Sequence, residues 1–238
     1  MMSEKMRINK FLSASGVMSR RRADSFIMSG RITVNGEKAL PGMMLNGDEE
    51  IRIDGKLLDK NPDSEKKVVL LYNKKRGTVT STVDQGKEKN NIIDAINYKT
   101  RVYPIGRLDK DSEGLILLTN DGSLVNRLLK SDSGIEKEYE VSLDKEIESR
   151  DISKMEKGGL ELVPGRRNKP VKIRKISPSR VNIILTEGIN REIRRIMEYY
   201  GYRVMKLKRI RFGNILLKDL KPGEYRELSP KEIRELTS

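Results

Sequence analysis

The sequence predicts an α+β protein with a small amino-terminal domain and a larger domain built on a largely antiparallel, mixed sheet flanked by helices. Helical and strand-like segments follow one another without regular alternation, which argues against a doubly wound α/β fold. A polar stretch at residues 58–67 separates two groups of apolar segments, as a linker does. The 238 residues suit one large or two modest domains, and we place these at 1–62 and 63–238.

Two short helices and then a small sheet are predicted in the first domain. Ser19 suits the N-cap of the second helix. The turn pairs at 35–36 (Asn-Gly) and 54–55 (Asp-Gly) follow alternating apolar residues and predict β-hairpins. The helical stripes are Ile8, Phe11 and Leu12 for the first helix and Ala23, Phe26 and Ile27 for the second.

The larger domain mixes strands and helices. Apolar runs and alternating patterns predict strands, and apolar residues at helical spacing predict helices. The predicted strands are 68–72, 115–119, 139–143, 181–186 and 202–208. The predicted helices are 91–98, 124–129 and 191–200.

The charge of the chain points to a polyanionic partner. Lys and Arg number 49 against 35 Asp and Glu, which gives a net charge of +14. The excess is concentrated, because residues 165–211 hold 15 basic and 3 acidic residues. A generally well-solvated surface would spread this excess along the chain. We therefore expect a nucleic acid or another phosphate-rich partner.

The composition also limits the chemistry. The chain has no His and no Cys, which excludes disulfides, thiolate nucleophiles, imidazole bases and the usual zinc ligands. Any reaction must rest on Asp, Glu, Lys, Arg, Tyr, Ser or Thr. We expect no metal and no cofactor.

No membrane segment is predicted. The longest apolar runs, 68–72 and 115–118, are far shorter than the roughly 20 residues that span a bilayer. Residues 1–10 lack the apolar stretch and small cleavage-site residues of a signal peptide. We expect a cytoplasmic protein.

One charged loop is a candidate site. Residues 106–114 lie between Tyr103-Pro104 and the apolar run 115–118, and basic residues stand two before and one after Asp109. From residue types alone, this is either a solvated surface turn or an anionic group that cations hold beside a backbone phosphate.

The first domain carries a recognisable motif. It reads Arg7, residues 9–12 (Asn-Lys-Phe-Leu), Ser15-Gly16, residues 19–21 (Ser-Arg-Arg), Ala23, Ile27, Gly30, residues 34–36 (Val-Asn-Gly) and Gly47-Asp48. This pattern resembles an S4 RNA-binding domain over its whole length. The basic residues at the two helix starts would then contact RNA phosphates. They are Arg7, Lys10, Arg20, Arg21 and Arg22.

The charged loop belongs to a longer motif. Residues 105–109 read Ile-Gly-Arg-Leu-Asp, and Ser112, Gly114-Leu115, residues 117–120 and Gly122 follow. Together they resemble the central motif of pseudouridine synthases of the RsuA branch, whose members usually carry an S4 domain in front. Residues 137–139 resemble the second motif of that family, and residues 185–195 resemble the third.

The resemblance implies an enzyme that isomerises a specific uridine of structured RNA to pseudouridine without metal or cofactor. The pair Asn190-Arg191, and a chain that ends without a long basic tail, are most like the RluF type, which acts on large-subunit (23S) ribosomal RNA. Small-subunit members more often show an aromatic residue and a histidine at that pair. A tRNA stem-loop stays open as a second target, and we expect a monomer.

The resemblance also implies roles for single residues. Asp109 would attack or deprotonate the nucleoside, at C6, C1′ or C2′. Tyr139 would stack on the uracil, although one tyrosine with an apolar face is equally consistent with a strand residue. Arg194 would pair with Asp109 and keep it ionised. Further RNA contacts are expected from Arg107, Leu108, Lys110, Asn190, Arg191 and the basic last strand with Arg203, Lys206, Lys208, Arg209 and Arg211.

Two other functions remain to be weighed. A non-catalytic S4 protein that binds the ribosome would explain the first domain, but the roughly 170 residues after the linker and the full motif around Asp109 argue against it. An S4 module attached to a tRNA-charging enzyme would need a nucleotide-binding glycine motif, which the sequence lacks.

Overall fold

A computed structural model describes residues 5–58, 66–81, 91–130 and 133–237. These residues divide into two compact units. The first contains the described residues up to Val68 together with Lys99–Val102 and Asn120–Gly122, and the second contains the others. Most of the predicted linker, 59–65, lies outside the described residues, and so does the boundary expected between residues 62 and 63.

The amino-terminal unit has the two predicted helices and a small antiparallel sheet. Its strands pair in the order β3-β2-β5-β6, and β1 pairs with β4. The elements are β1 (Met6–Arg7), α1 (Ile8–Ala14), α2 (Arg20–Met28), β2 (Ile32–Val34), β3 (Glu37–Lys38), β4 (Met44–Leu45), β5 (Ile51–Ile53) and β6 (Lys56–Leu57).

Local sequence signals explain this unit. The Ser19 hydroxyl accepts a hydrogen bond from the Arg22 N–H at 3.2 Å, so the predicted N-cap of α2 is confirmed. The hairpin β2–β3 turns at Asn35-Gly36, where both residues have positive φ as the predicted turn requires. The apolar stripes of both helices pack with the sheet in one core of buried residues: Ile8, Leu12, Met18, Ala23, Ile27, Ile32, Val34, Ala39, Leu45 and Ile51.

The larger unit contains a long mixed sheet with helices around it. Its helices are α3 (Ile92–Ile96), α4 (Gly122–Leu129), α5 (Ser149–Met155), α6 (Glu192–Tyr199) and α7 (Pro230–Thr237). Its strands are β7 (Val69–Lys74), β8 (Tyr103–Ile105), β9 (Glu113–Thr119), β10 (Lys137–Leu143), β11 (Glu161–Val163), β12 (Arg166–Arg167), β13 (Lys172–Ser177), β14 (Arg180–Leu185), β15 (Val204–Phe212), β16 (Ile215–Leu216) and β17 (Tyr225–Glu227).

This sheet consists of two antiparallel halves joined by a short parallel seam. One half has the order β13-β14-β10-β15 and the other β9-β7-β17. The seam is the parallel pairing of β15 with β9, where Lys208 and Arg209 face Glu113 and Gly114. The mostly antiparallel α+β fold that the sequence predicts is therefore confirmed.

Gly114 allows the two halves to approach at the seam. Its φ is +100°, and a Cβ at this position would lie 2.3 Å from the Arg209 carbonyl oxygen. Both facts require glycine here. The seam matters for function because the candidate site lies next to it.

Some elements were not predicted. The strand β13 carries mostly exposed charged residues and shows no apolar alternation, so it depends on its pairing with β14. The short strands β8 and β17 pair with longer strands in the same way. In the part of the chain that the structure describes, no helix is long and apolar enough to cross a membrane.

Candidate active site

A cavity of about 880 Å³ lies within the larger unit, beside the seam. One part of its wall is the Asp109 loop, residues 106–112. The other parts come from β10, β15 and the segment 185–193, which runs from the end of β14 into α6. The three regions that the sequence singled out as motifs therefore meet at one cavity.

The Asp109 loop is anchored by two buried polar side chains at and beyond the end of β7. Lys74 is fully buried and its Nζ donates to three backbone carbonyls, of which Ser112 O is nearest at 2.7 Å. Burial lowers the pKa of Lys74 to about 8, although Asp109 and two other acids oppose this shift. On the other side of Asp109, the Thr80 hydroxyl donates to Leu108 O at 2.8 Å. The loop is held at both sides of its central carboxylate.

Asp109 lines the cavity with its side chain 30% exposed. Arg191 Nη1 lies 3.9 Å from its Oδ2. The Asp109 carbonyl accepts the Ser112 N–H at 3.0 Å, which closes the loop behind the side chain. A carboxylate in this setting is accessible to a guest in the cavity and has a cation nearby.

Tyr139 lies on β10 and lines the same cavity with only 9% of its surface exposed. It sits between Ile183 on β14 and Arg209 on β15 in the register of the sheet. This half-apolar setting leaves the ring as a wall of the cavity, which suits stacking on a base.

Arg194 does not form the direct ion pair with Asp109 that the sequence predicted. Its Nη1 donates to Val204 O at 3.0 Å and its Nη2 donates to Asp111 O at 3.4 Å. Burial and the neighbouring Arg191 lower the pKa of Arg194, whereas Asp109 raises it from a longer distance. Arg194 thus holds the backbone of the Asp109 loop, and Arg191 is the cation within 4.0 Å of the carboxylate among the described residues.

The other expected RNA contacts divide into exposed and buried residues. Arg107, Lys110, Asn190 and Arg191 are exposed around the cavity loops, as RNA contacts require. Leu108 is buried and lines the cavity, so it can meet RNA only inside the cavity. In the amino-terminal unit, the five expected phosphate contacts are all exposed: Arg7, Lys10, Arg20, Arg21 and Arg22.

The basic last strand does not form one RNA-facing row. Arg209 is buried and lines the cavity. Arg211 makes ion pairs of 3.0 Å with Glu136 and with Glu138. Lys206 is exposed and pairs with Glu113 at 3.0 Å. A β-bulge in β15 pairs the neighbours Glu138 and Tyr139 with Arg211 and Arg209, so the two arginines leave opposite faces of the sheet. This corrects the expectation that Arg209 and Arg211 belong to one RNA-facing row.

A pair of buried carboxyl groups was not predicted. Glu192, at the start of α6, lies on the cavity wall, and its Oε2 accepts the Ile189 N–H at 3.0 Å. Burial, and to a smaller extent the neighbouring Glu187, raise the pKa of Glu192 to about 7. Glu187 in turn accepts the Lys169 N–H and lies 3.6 Å from Arg166. The apolar spacing that predicted the buried face of α6 did not include Glu192, because glutamate is normally a solvent-exposed residue.

The carboxyl of Glu192 makes stability depend on pH. Because the pKa of Glu192 is raised in the folded state, its protonated carboxyl stabilises the folded protein fully below pH 4.5. This stabilisation is lost as the pH rises through about 7. We expect Glu192→Gln to stabilise the protein at pH 8 by about 2 to 3 kcal/mol, from 1.36 kcal/mol per pKa unit, and to change little at pH 4.5. Urea unfolding at both pH values measures this.

The matched control is Glu198→Gln, which changes an exposed glutamate on the same helix. It should leave the pH dependence as in the wild type. An equal effect of Glu192→Gln at both pH values would show that folding does not raise the pKa of Glu192.

In the described residues, no group of three or more acidic side chains is arranged to hold a metal ion.

Sequence reasoning also missed Lys74, because a lysine at the end of an apolar strand is usually exposed to solvent. Its position two residues after the apolar run 68–72 was the available signal.

Comparison with known proteins agrees with this architecture. Residues 68–199 match the family model of RNA pseudouridylate synthases, and residues 6–51 match that of the S4 domain. The chain therefore belongs to the RNA pseudouridylate synthases, in the RsuA branch with an S4 domain.

Individual relatives cover almost the whole chain. The dual-specificity RNA pseudouridine synthase RluF of Escherichia coli K12 is 41% identical over 97% of this chain and 78% of its own length. The ribosomal large subunit pseudouridine synthase B of Bacillus subtilis is 34% identical over 97% of this chain and 95% of its own. A crystal structure of a pseudouridylate synthase superposes with a TM-score of 0.70 at 28% identity, over 97% and 99% of the two chains.

These findings establish an enzyme of this family that acts on RNA. They set aside a non-catalytic S4 protein and a tRNA-charging enzyme.

Proposed function

We propose that this enzyme converts a specific uridine of 23S ribosomal RNA to pseudouridine, with Asp109 as the nucleophile. The observation that carries the proposal is that Asp109 and Tyr139 line one cavity of about 880 Å³. This volume lies within the range of sites that enclose a small-molecule-sized group. A uridine flipped out of the RNA would place its ribose and base in this cavity.

The reaction replaces the N1–C1′ bond by a C5–C1′ bond, with no net redox change. The N1–C1′ bond breaks, and its electron pair stays with the uracil. The uracil turns, C5 bonds to C1′, the C5 proton leaves and N1 takes up a proton. Asp109 attacks C1′ or C6, or takes the C2′ proton. All three roles need an ionised carboxylate, and Arg191 lies 3.9 Å from this one.

The remaining site residues position the groups that react. Tyr139 offers its ring as a stacking surface that keeps the freed uracil in the cavity while it turns. Arg194 acts on Asp109 through the backbone of the loop, because its guanidinium donates to Asp111 O. Arg107 fills the gap in the RNA or holds a phosphate during flipping, and Lys110, Asn190 and Leu108 contribute contacts at and inside the mouth of the cavity.

The relatives and the S4 domain support the proposed RNA target. One relative is named for the ribosomal large subunit and another for dual specificity, which supports 23S rRNA and leaves a tRNA stem-loop as a second target. The exposed basic residues of α1 and α2 orient the RNA through its phosphates. The proposal includes a boundary between residues 62 and 63, a cytoplasmic enzyme, a monomer and a reaction without cofactor.

Mapping pseudouridines tests this function. Total rRNA and tRNA from a strain lacking the gene should lose pseudouridine at one site in 23S rRNA, and the purified protein should restore it. A chain carrying Asp109→Asn is the matched control and should restore nothing. An unchanged pseudouridine map in 23S rRNA, with a loss in another RNA, would contradict the proposed target.

RNA affinity should fall steeply as salt rises. The net charge of +14 and the exposed cations of the S4 domain release counterions when they meet phosphates. We expect the triple change Arg20→Gln, Arg21→Gln, Arg22→Gln to flatten the slope of log affinity against log salt by about 2 to 3, at roughly 0.7 to 0.9 per contact. Filter binding between 50 and 200 mM salt, a range that shows this effect, measures the slope.

A charge-matched control removes three exposed lysines near the carboxyl end: Lys218→Gln, Lys221→Gln and Lys231→Gln. The slope should stay within about 0.5 of the wild-type value, because these residues lie in none of the RNA-contacting motifs. Equal slopes for both triple variants would contradict a role of the S4 helices in RNA binding.

A further inference from the structure

The cavity wall contains buried polar atoms that have no partner. Ser112 Oγ, Glu192 Oε1 and Arg209 Nη2 make no hydrogen bond among the described residues, and all three residues line the cavity. Buried polar groups are nearly always hydrogen-bonded, so each exception calls for an explanation. Their concentration on one cavity indicates groups that are completed by a guest.

Arg209 is the most informative of the three. It is 3% exposed and forms no ion pair in the described part of the chain. Its Nε donates to Leu115 O at 2.6 Å, which fixes the orientation of the guanidinium. A buried guanidinium without an anion is costly to fold, because it stays charged at every physiological pH. Such a cost is characteristic of functional sites.

The register of the sheet places Arg209 beside the reacting groups. Arg209 is the direct partner of Tyr139 in the antiparallel pairing of β15 with β10, so the two side chains leave the same face of the sheet. On its other side Arg209 faces Gly114 in the seam, and its Nε reaches the next residue, Leu115. The guanidinium therefore lies between the tyrosine ring and the strand that follows the Asp109 loop.

A second, half-buried cation strengthens the positive field at this place. Lys137 Nζ and the Arg209 guanidinium lie 5.7 and 5.5 Å from the centre of the same Phe212 ring. Burial, followed by Arg209, lowers the pKa of Lys137 to about 8. Lys137 already donates to Thr186 O and Ile135 O. Of these two cations, Arg209 is therefore the one with an unpartnered donor among the described residues.

We propose that Arg209 is a catalytic residue that binds the uracil: its guanidinium donates to a carbonyl oxygen of the flipped base and stabilises the negative charge that the base gains when the N1–C1′ bond breaks. This inference rests on the proposed function. Uracil offers two carbonyl acceptors, O2 and O4, and the electron pair from the broken bond is delocalised onto them. A preorganised donor at such an oxygen acts more strongly on the departing anion than on the neutral base.

The test replaces Arg209 by Met, which keeps the length of the side chain and removes the charge and the donors. We expect the single-turnover rate at saturating RNA to fall about 10²- to 10³-fold. RNA affinity should stay within about threefold, because phosphate contacts dominate it. The midpoint of thermal unfolding should not fall, since the variant no longer buries an unpaired charge.

Arg226→Met serves as the matched control. Arg226 lies on β17, at the far edge of the other half of the sheet, and donates to Glu232 with both terminal nitrogens. Its loss should lower the unfolding midpoint and leave the single-turnover rate unchanged. Arg209→Met should thus lower the rate without lowering stability, and Arg226→Met should lower stability without lowering the rate.

Modified substrates identify the contact itself. The probe is a synthetic stem-loop RNA around the uridine that the wild-type enzyme modifies, with sulfur in place of O2 or of O4, because sulfur is a weaker hydrogen-bond acceptor. The wild type should lose rate with one of the two, and Arg209→Met should lose no further rate with that same RNA.

Three results would overturn the inference: a folded Arg209→Met variant with the wild-type rate, equal further losses for wild type and variant on the thio RNAs, or a wild type indifferent to both. Failure of the proposed function is a different result, since the wild type itself would then form no pseudouridine in the unmodified RNA.

Discussion

Asp109→Asn is expected to abolish pseudouridine formation. The substitution keeps the shape of the side chain and removes the anion that has to attack or deprotonate the nucleoside, so the single-turnover rate should fall by more than about 10³-fold. The side chain is 30% exposed and its ion pair with Arg191 is long, at 3.9 Å. The unfolding midpoint and RNA affinity should therefore change little. Release of tritium from C5-labelled RNA measures the rate.

Asp111→Asn provides the control within the same loop. The Asp111 backbone carbonyl accepts from Arg194, but its carboxylate is exposed. This variant should keep a rate within about threefold of the wild type, since its backbone contacts persist. If Asp109→Asn retains activity within tenfold of the wild type, Asp109 is not the nucleophile.

Lys74→Met is expected to have the second largest effect. The Lys74 ammonium group is fully buried and joins the end of β7 to the Asp109 loop through Lys110 O at 3.4 Å and Ser112 O at 2.7 Å. Without it, Ser112 O loses this donor, whereas Lys110 O keeps the Gly77 N–H at 2.8 Å. The loop therefore loses its side-chain anchor near Ser112. A displacement of about 1 Å at a reacting group costs about 10²-fold in rate, and we expect a loss of this size in single turnovers at saturating RNA.

Lys75→Met is the matched control, because it makes the same substitution at the adjacent, exposed residue. It should leave the rate unchanged and weaken RNA binding by no more than one phosphate contact. If Lys74→Met folds and retains a rate within threefold of the wild type, the Asp109 loop does not depend on this anchor.

Much of the fold could be predicted because its signals are local. The cap at Ser19 and the turn at Asn35-Gly36 act over four residues or fewer, and both are confirmed. Helix α6 was predicted from the spacing of Ile193, Ile196 and Met197, which are buried as expected. Strand β13 could not be predicted in this way, because its existence depends on pairing with β14 rather than on its own residues.

The candidate site also has parts that local sequence predicts and parts that depend on the tertiary structure. The motifs located Asp109, Tyr139 and Arg194, and the structure brings all three motif regions to one cavity or its supporting loop. The partner of Asp109 was predicted incorrectly, because the choice between Arg191 and Arg194 depends on how α6 starts. Arg191 has a left-handed φ of 55° at the N-cap, a conformation that sequence spacing does not reveal.

The parallel seam also determines where this protein tolerates change. Each half of the sheet supplies residues of the proposed site: Asp109 precedes β9, whereas Tyr139 lies on β10 and Arg194 on α6, next to β15. Extra residues in the β13–β14 turn, at the edge of the sheet, would leave the spacing of these groups intact. A single methyl group at Gly114 would instead press on the Arg209 carbonyl and move the halves apart. A residue without a side chain thus sets the distance between the proposed nucleophile and the proposed stacking surface, and its substitution would separate them while leaving both side chains present.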